Sequence, residues 1–122
     1  MFILKVTTSF SSAHQLRGYK GNCANMHGHC WKVTARISVA QLDSIGLGYD
    51  FREIKDRLNR VVGQFDHKFI NEIPPFNTLN PTSENLAKYF YDTLDETMPD
   101  KVKVVSIEVE ESENCSVIYV ED

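Results

Sequence analysis

Cysteine and histidine are scarce in this sequence, positive charge is in short supply, and long apolar runs are missing. Three cysteines, an odd number, do not make a disulfide framework. Such a set fits a reducing compartment, so a cytoplasmic location is expected. No apolar stretch approaches the roughly 20 residues that a membrane span requires, so no membrane partner is expected. The start, Met1-Phe2-Ile3-Leu4-Lys5, shows no charged region, apolar core and cleavage site of a signal peptide. With 13 Lys and Arg against 17 Asp and Glu, the net charge is −4. A phosphate backbone needs a basic surface, so nucleic acid is not an expected partner. An anionic small molecule stays possible where a few Lys or Arg converge. Repeats, low-complexity tracts and linkers are also missing, and residues 1–122 are expected to form one domain. A chain of this length buries about two-thirds of its unfolded surface and needs no disulfide to fold.

What is present is clear alternation. Phe2, Leu4, Val6 and Phe10 alternate with Lys5, Thr7 and Ser9, which is strand spacing, and Ser11 to His14 continue or end that strand. Gly18, Gly21, Asn22 and Asn25 mark a loop. From His29 a second strand begins, with His29, Trp31, Val33, Ala35, Ile37 and Val39 on one parity. After a loop at 42–48, Asp50 and Glu53 have capping-box spacing ahead of a helix carrying Phe51, Ile54, Leu58 and Val61. Pro74, Pro75 and Pro81 separate it from a second helix with Leu86, Phe90 and Leu94, capped by Thr82 or Ser83. Residues 102–111 and 116–120 read as two strands around a turn at Glu113-Asn114. The expected class is α+β, in the order ββααββ, with a four-stranded antiparallel sheet and helices on one side. Such a sheet leaves exposed edges, and oligomerisation is one way to cover them.

Three of the four histidines suggest a metal site. His27 and His29 are two apart, and in an extended chain they share a face. His14, near the end of the preceding strand, lies at a plausible position across from them. Three neutral nitrogens suit zinc and leave a fourth position open, as catalytic sites do. Cys23, in Cys23-Ala24-Asn25-Met26-His27-Gly28-His29, has three readings: a buried apolar side chain, a fourth ligand, or a thiolate base. Cys30 reads as structural and Cys115 as a hairpin residue.

Further candidates lie downstream. Asp66-His67 is either a solvated helix end or a proton-passing pair, with the carboxylate orienting the imidazole. Glu111 shares a parity with Val105, Ile107 and Val109. It is either a strand-end residue in water or a carboxylate aimed at paired N–H donors on a ligand ring. Thr82-Ser83-Glu84 is explained by capping alone, although a helix start also offers N–H groups to a ligand.

Together these residues resemble the 6-pyruvoyl-tetrahydropterin synthase superfamily, and most closely its bacterial 6-carboxy-5,6,7,8-tetrahydropterin synthase branch. The similarity runs through Phe10-Ser11-Ser12-Ala13-His14, Cys23 to His29, Tyr49-Asp50-Phe51 with Lys55, Phe65-Asp66-His67, Asn80-Pro81-Thr82-Ser83-Glu84-Asn85-Leu86-Ala87 and Glu111. The resemblance implies a tunnelling fold, trimers whose sheets close into a β-barrel, and a homohexamer of two trimers with active sites between subunits. It implies Zn2+ on His14, His27 and His29, with Cys23 as general base and Asp66 with His67 as proton relay. It implies that Glu111 anchors a pterin ring beside Thr82 and Ser83.

The implied substrate is 7,8-dihydroneopterin triphosphate, with Arg17, Lys20 and Lys68 as candidates for triphosphate contacts. The implied products are 6-carboxytetrahydropterin, acetaldehyde and triphosphate, on the way to queuosine, a 7-deazapurine. The three residues between Cys23 and His27 match the carboxy branch, whereas the pyruvoyl branch has a longer insert there. Two alternatives stand beside this reading. One is a 6-pyruvoyl-tetrahydropterin synthase, which eliminates triphosphate without cleaving the side chain. The other is a non-catalytic, zinc-stabilised pterin-binding oligomer.

Overall fold

The computed structural model describes residues 1–18 and 27–121, with His27 described in its backbone only. The described chain runs β1 (Phe2–His14), β2 (His27–Val39), α1 (Phe51–Gly63), β3 (Lys68–Phe69), a 3-10 turn (Ile70–Glu72), α2 (Ser83–Thr97), β4 (Val102–Ser112) and β5 (Cys115–Val120). The strands form one sheet in the order β3-β1-β2-β4-β5. The α+β class holds, but the sheet has five strands and not four. The added strand, β3, pairs in parallel with Ser12 and Ala13 of β1, and all other pairings are antiparallel. Two residues show no alternation, so period alone could not reveal β3.

Alternation decides which face of each strand is buried. Trp31, Val33, Ala35, Ile37 and Val39 of β2 are buried, and so are Val6, Phe10, Ser12 and His14 of β1. Against that face pack Ile54, Leu58, Val61 and Val62 of α1 and Leu86, Ala87, Phe90, Tyr91 and Leu94 of α2. Phe10 stacks on Trp31 at 5.9 Å and meets Phe90 edge-on at the same separation, so aromatic packing ties sheet to helices just below the histidines. The opposite face carries paired charges: Arg36 with Glu108 at 3.2 Å and Lys32 with Glu110 at 3.6 Å.

Two local expectations resolve at atomic detail. Asp50 caps α1 by accepting from the Arg52 N–H. Thr82, not Ser83, caps α2 by accepting from the Asn85 N–H, which frees Ser83 for other contacts. In β4 the parity of Val105 with Ile107 breaks down. The register against β2 shifts between Arg36 and Ile37, so Val104 is buried while Val105 is 37% exposed. A bulge of this kind inserts one residue and flips the side chains beyond it. Ile107 and Val109 remain buried, and Glu111, at a second register shift between Glu110 and Ser112 against β5, turns its carboxylate toward His14.

Candidate active site

The site forms where β1 ends and β2 begins. In the antiparallel register Ser12 faces His29 and His14 faces His27. His14 and His29 therefore meet at one end of the sheet, with ring centroids 5.4 Å apart. Trp31, two residues further along β2, sets its indole edge-to-face against both rings, at 4.8 and 5.3 Å. Its Nε1–H donates to the Ser12 carbonyl at 3.2 Å, which locks the indole as a rigid floor.

Glu111, arriving from β4, completes the cluster. Its Oε1 lies 3.2 Å from His14 Nε2 and 2.8 Å from His29 Nε2. The Ser83 hydroxyl donates to Oε2 at 3.1 Å from the start of α2. Burial by itself would raise the Glu111 carboxyl. The charges of His14 and His29 and the Ser83 hydroxyl outweigh burial and hold it below its ordinary value. Among the described residues, His14, His29 and Glu111 form a group able to hold a metal ion, with donor atoms all within 4.8 Å of one another.

The His14 ring tests whether a cation fits. His14 is almost fully buried, and its Nδ1 lies 2.8 Å from the Pro81 carbonyl oxygen. A carbonyl only accepts, so Nδ1 carries the proton and donates. In a neutral ring that leaves a lone pair on Nε2, facing an anionic oxygen. Two lone pairs at this distance repel, so the arrangement calls for positive charge, either a second proton on the ring or a cation. Fixing one imidazole nitrogen on a carbonyl is also how metal-binding histidines are oriented. The residues present therefore fit a metal.

A family model described as 6-pyruvoyl tetrahydropterin synthase matches residues 3–122. The chain belongs to the 6-pyruvoyl tetrahydropterin synthase family. A protein of Archaeoglobus fulgidus, provisionally named 6-carboxy-5,6,7,8-tetrahydropterin synthase, is 38% identical over 94 residues, covering 77% of this chain and 76% of the relative. A Synechocystis protein named 6-carboxy-5,6,7,8-tetrahydropterin synthase is 30% identical, covering 79% and 77%. These two support the resemblance to the carboxy branch. A Dictyostelium discoideum 6-pyruvoyl tetrahydrobiopterin synthase is 30% identical, covering 90% of this chain and 89% of its own. The structure of Caenorhabditis elegans 6-pyruvoyl tetrahydropterin synthase superposes with a TM-score of 0.87 at 25% identity, covering 99% of this chain and 96% of that one.

Within this 6-pyruvoyl tetrahydropterin synthase fold, the other predicted residues take distinct places. His67 and His29 line one open cleft of about 530 Å³ with Ser11, Ser12, Gly28 and Lys68. Asp66 Oδ1 accepts from the Ser11 N–H at 2.9 Å, and Oδ2 lies 3.0 Å from His67 Nδ1. The Ser11 N–H, opposed in part by burial and aided by His67, holds the Asp66 carboxyl below its ordinary value. His67 has a positive φ of 57°, and its N–H donates to the Ser11 carbonyl at 2.6 Å. A non-glycine residue in this conformation is held there by its surroundings, so the pair is anchored on β1 at Ser11.

Cys23 and Lys20, and the side chain of His27, lie outside the described residues; the register sets the His27 backbone opposite His14. Arg17 does not offer its guanidinium to an outside anion alone: it donates to the Leu79 and Phe76 carbonyls at 3.1 and 2.8 Å. Lys68 is exposed on β3. Two contributors escaped the sequence reading. Trp31 shares the parity of His29, which could have flagged it. The Pro81 carbonyl is a backbone group and leaves no signature in residue type.

Proposed function

We propose that the protein is a zinc-dependent 6-carboxy-5,6,7,8-tetrahydropterin synthase, a lyase that converts 7,8-dihydroneopterin triphosphate to 6-carboxytetrahydropterin, acetaldehyde and triphosphate. The product would enter queuosine synthesis in the cytoplasm. The observation that carries the reading is the convergence of His14, His29 and Glu111, with His29 also lining the cleft that holds His67. The whole chain serves as one domain, and a homohexamer of two barrel-forming trimers, with sites between subunits, would cover the exposed edge strand β5.

His14, His27 and His29 would hold the zinc, leaving an open position for substrate. Zinc would act there as a Lewis acid, stabilising negative charge on the substrate side chain. Asp66 accepts from His67 Nδ1–H, which leaves Nε2 as the atom that gives or takes a proton. Cys23 supplies the thiolate base. Glu111, kept ionised by its surroundings and steadied by Ser83, accepts from the amino-pyrimidine edge of the pterin, with Thr82 nearby.

A second reading of the metal has its own support. Among the described residues it is Glu111 that closes the group with the two histidines. Zinc analysis of His27→Ala and Glu111→Gln separates the two: the first loses zinc if His27 is the third ligand, the second if Glu111 is. A 6-pyruvoyl product is the enzymatic alternative, and relatives of that name match over most of the chain.

The deciding experiment incubates zinc-loaded protein with 7,8-dihydroneopterin triphosphate and assays pterin and acetaldehyde together. Carboxytetrahydropterin with stoichiometric acetaldehyde is expected. A pyruvoyl product without acetaldehyde selects the other branch, and no turnover at full zinc occupancy leaves the binding-only oligomer. Cys23→Ala should abolish turnover with zinc retained; zinc lost with it would make Cys23 a ligand.

A further inference from the structure

Immediately after His14 the chain is stitched to the segment before α2 by two asparagines. Asn71 Oδ1 accepts from the Gln15 N–H at 2.9 Å, and its Nδ2 donates to the Gln15 carbonyl at 2.8 Å. Asn80 treats Arg17 in the same way, at 2.8 and 3.0 Å. Each side chain replaces a strand partner, satisfying a backbone donor and acceptor at once. The Arg17 guanidinium adds donations to the carbonyls of Leu79 at 3.1 Å, Phe76 at 2.8 Å and Asn71 at 3.4 Å.

The two stitches are not equivalent. Asn80 directly precedes Pro81, whose carbonyl accepts from His14 Nδ1–H. The Asn80 carbonyl in turn accepts from the Thr82 N–H and from Asn85 Nδ2, both at 2.9 Å. Proline fixes its own φ. The direction of the Pro81 carbonyl is thus set by Asn80 on one side and the Thr82 cap on the other. Asn71 holds the backbone of Gln15, next to His14 in the chain, but its side chain does not bond the turn at 80–82 that aims the Pro81 carbonyl at the His14 ring.

We propose that Arg17 and Asn80 are positioning residues for His14: they hold the turn at 80–82 so that the Pro81 carbonyl keeps the His14 proton on Nδ1 and Nε2 facing His29 and Glu111. The proposal rests on the reading of His14 as a metal ligand. It gives Arg17 a task other than binding triphosphate. It also separates the stability of the loop, which both asparagines serve, from the orientation of the ligand ring, which Asn80 serves.

The test measures zinc affinity by chelator competition in Asn80→Ala, Arg17→Lys and Asn71→Ala, alongside the thermal stability of each metal-free protein. Losing a ligand's direct orienting partner weakens affinity roughly 10–100-fold. Asn80→Ala leaves the Pro81 carbonyl present but less firmly aimed, so a loss near the lower end, about tenfold, is expected while Asn71→Ala stays within about twofold. Arg17→Lys should lie between them, because an ammonium cannot reproduce a planar fork of donors. Both Asn→Ala variants should lose comparable stability. In the zinc-loaded wild type, the His14 Nδ1–H should appear in a long-range 1H–15N imidazole spectrum and exchange slowly with water. In Asn80→Ala that exchange should accelerate.

Should Asn80→Ala fail to fold, Asn80→Asp, which keeps the acceptor for the Arg17 N–H and loses the donor, takes its place with an intermediate loss expected. Equal losses of zinc affinity in the Asn71 and Asn80 variants, or none in either, would overturn the proposal while leaving the metal reading intact. A wild type that binds no zinc would overturn both.

Discussion

The two ends of the sheet hold clefts of similar size with opposite character. At one end, about 530 Å³ is lined by His29, His67, Ser11 and Ser12. At the other, about 470 Å³ is lined by Val39, Leu42, Leu47, Val102 and the ends of neighbouring loops. The second cleft contains Asp43 and Lys101, but Asp43 is occupied locally, accepting from the N–H groups of Ile45 and Leu47 at 3.0 and 2.9 Å. At the histidine end the polar groups instead converge across elements distant in sequence, from β1, β2, α2 and β4. Cavity volume does not distinguish the two ends. Convergence of buried and half-buried polar side chains from separate elements does.

This contrast is broken most sharply by His67→Ala. A proton-transfer residue contributes about 10²–10⁴-fold, so turnover should fall by that factor while zinc content stays at the wild-type level. Zinc loss would move His67 into the metal set. A finer cut separates Thr82 from Ser83. Thr82→Ala removes the α2 cap and should cost about 1 kcal/mol of stability in urea denaturation. Ser83→Ala should leave the cap intact and weaken pterin retention, because it removes the hydroxyl that steadies Glu111.

Asp66→Asn probes the anchor on Ser11. The folded carboxyl of Asp66 titrates below its ordinary value of 3.8, so its contribution to stability is complete above that value. It is lost as pH falls through the lowered folded value. The stability difference between wild type and Asp66→Asn should therefore be present at neutral pH and shrink in acid; a difference that grows in acid would contradict the assignment. The smallest effect belongs to the far end, where Leu42→Ser should change stability by no more than about 0.5 kcal/mol and leave turnover unaltered.

Much of this arrangement was legible in residue order. The parity of His29 with Trp31 through Val39 placed that histidine on the buried face, and the end of β1 brought His14 beside it. Glu111 was visible as a carboxylate on an apolar parity, although the bulge at Val105 means that the parity argument reached it through a broken count. Whether Thr82 or Ser83 caps α2 could not be read, because both side chains suit an N-cap and the choice depends on where Glu111 arrives. The strand at Lys68–Phe69 was too short to show a period. The hold on His14 was invisible because it is made by the Pro81 carbonyl, which every residue type carries.

One metal ion held through His14 and His29 at the convergent end of the sheet is the proposal on which the site's chemistry depends. The most direct measurement is metal content per chain, by elemental analysis, in the wild type and in the His14→Ala/His29→Ala double variant after equal zinc exposure and desalting. One tightly held zinc is expected in the wild type and none in the double variant. Equal zinc in both, or none in the wild type, would contradict it.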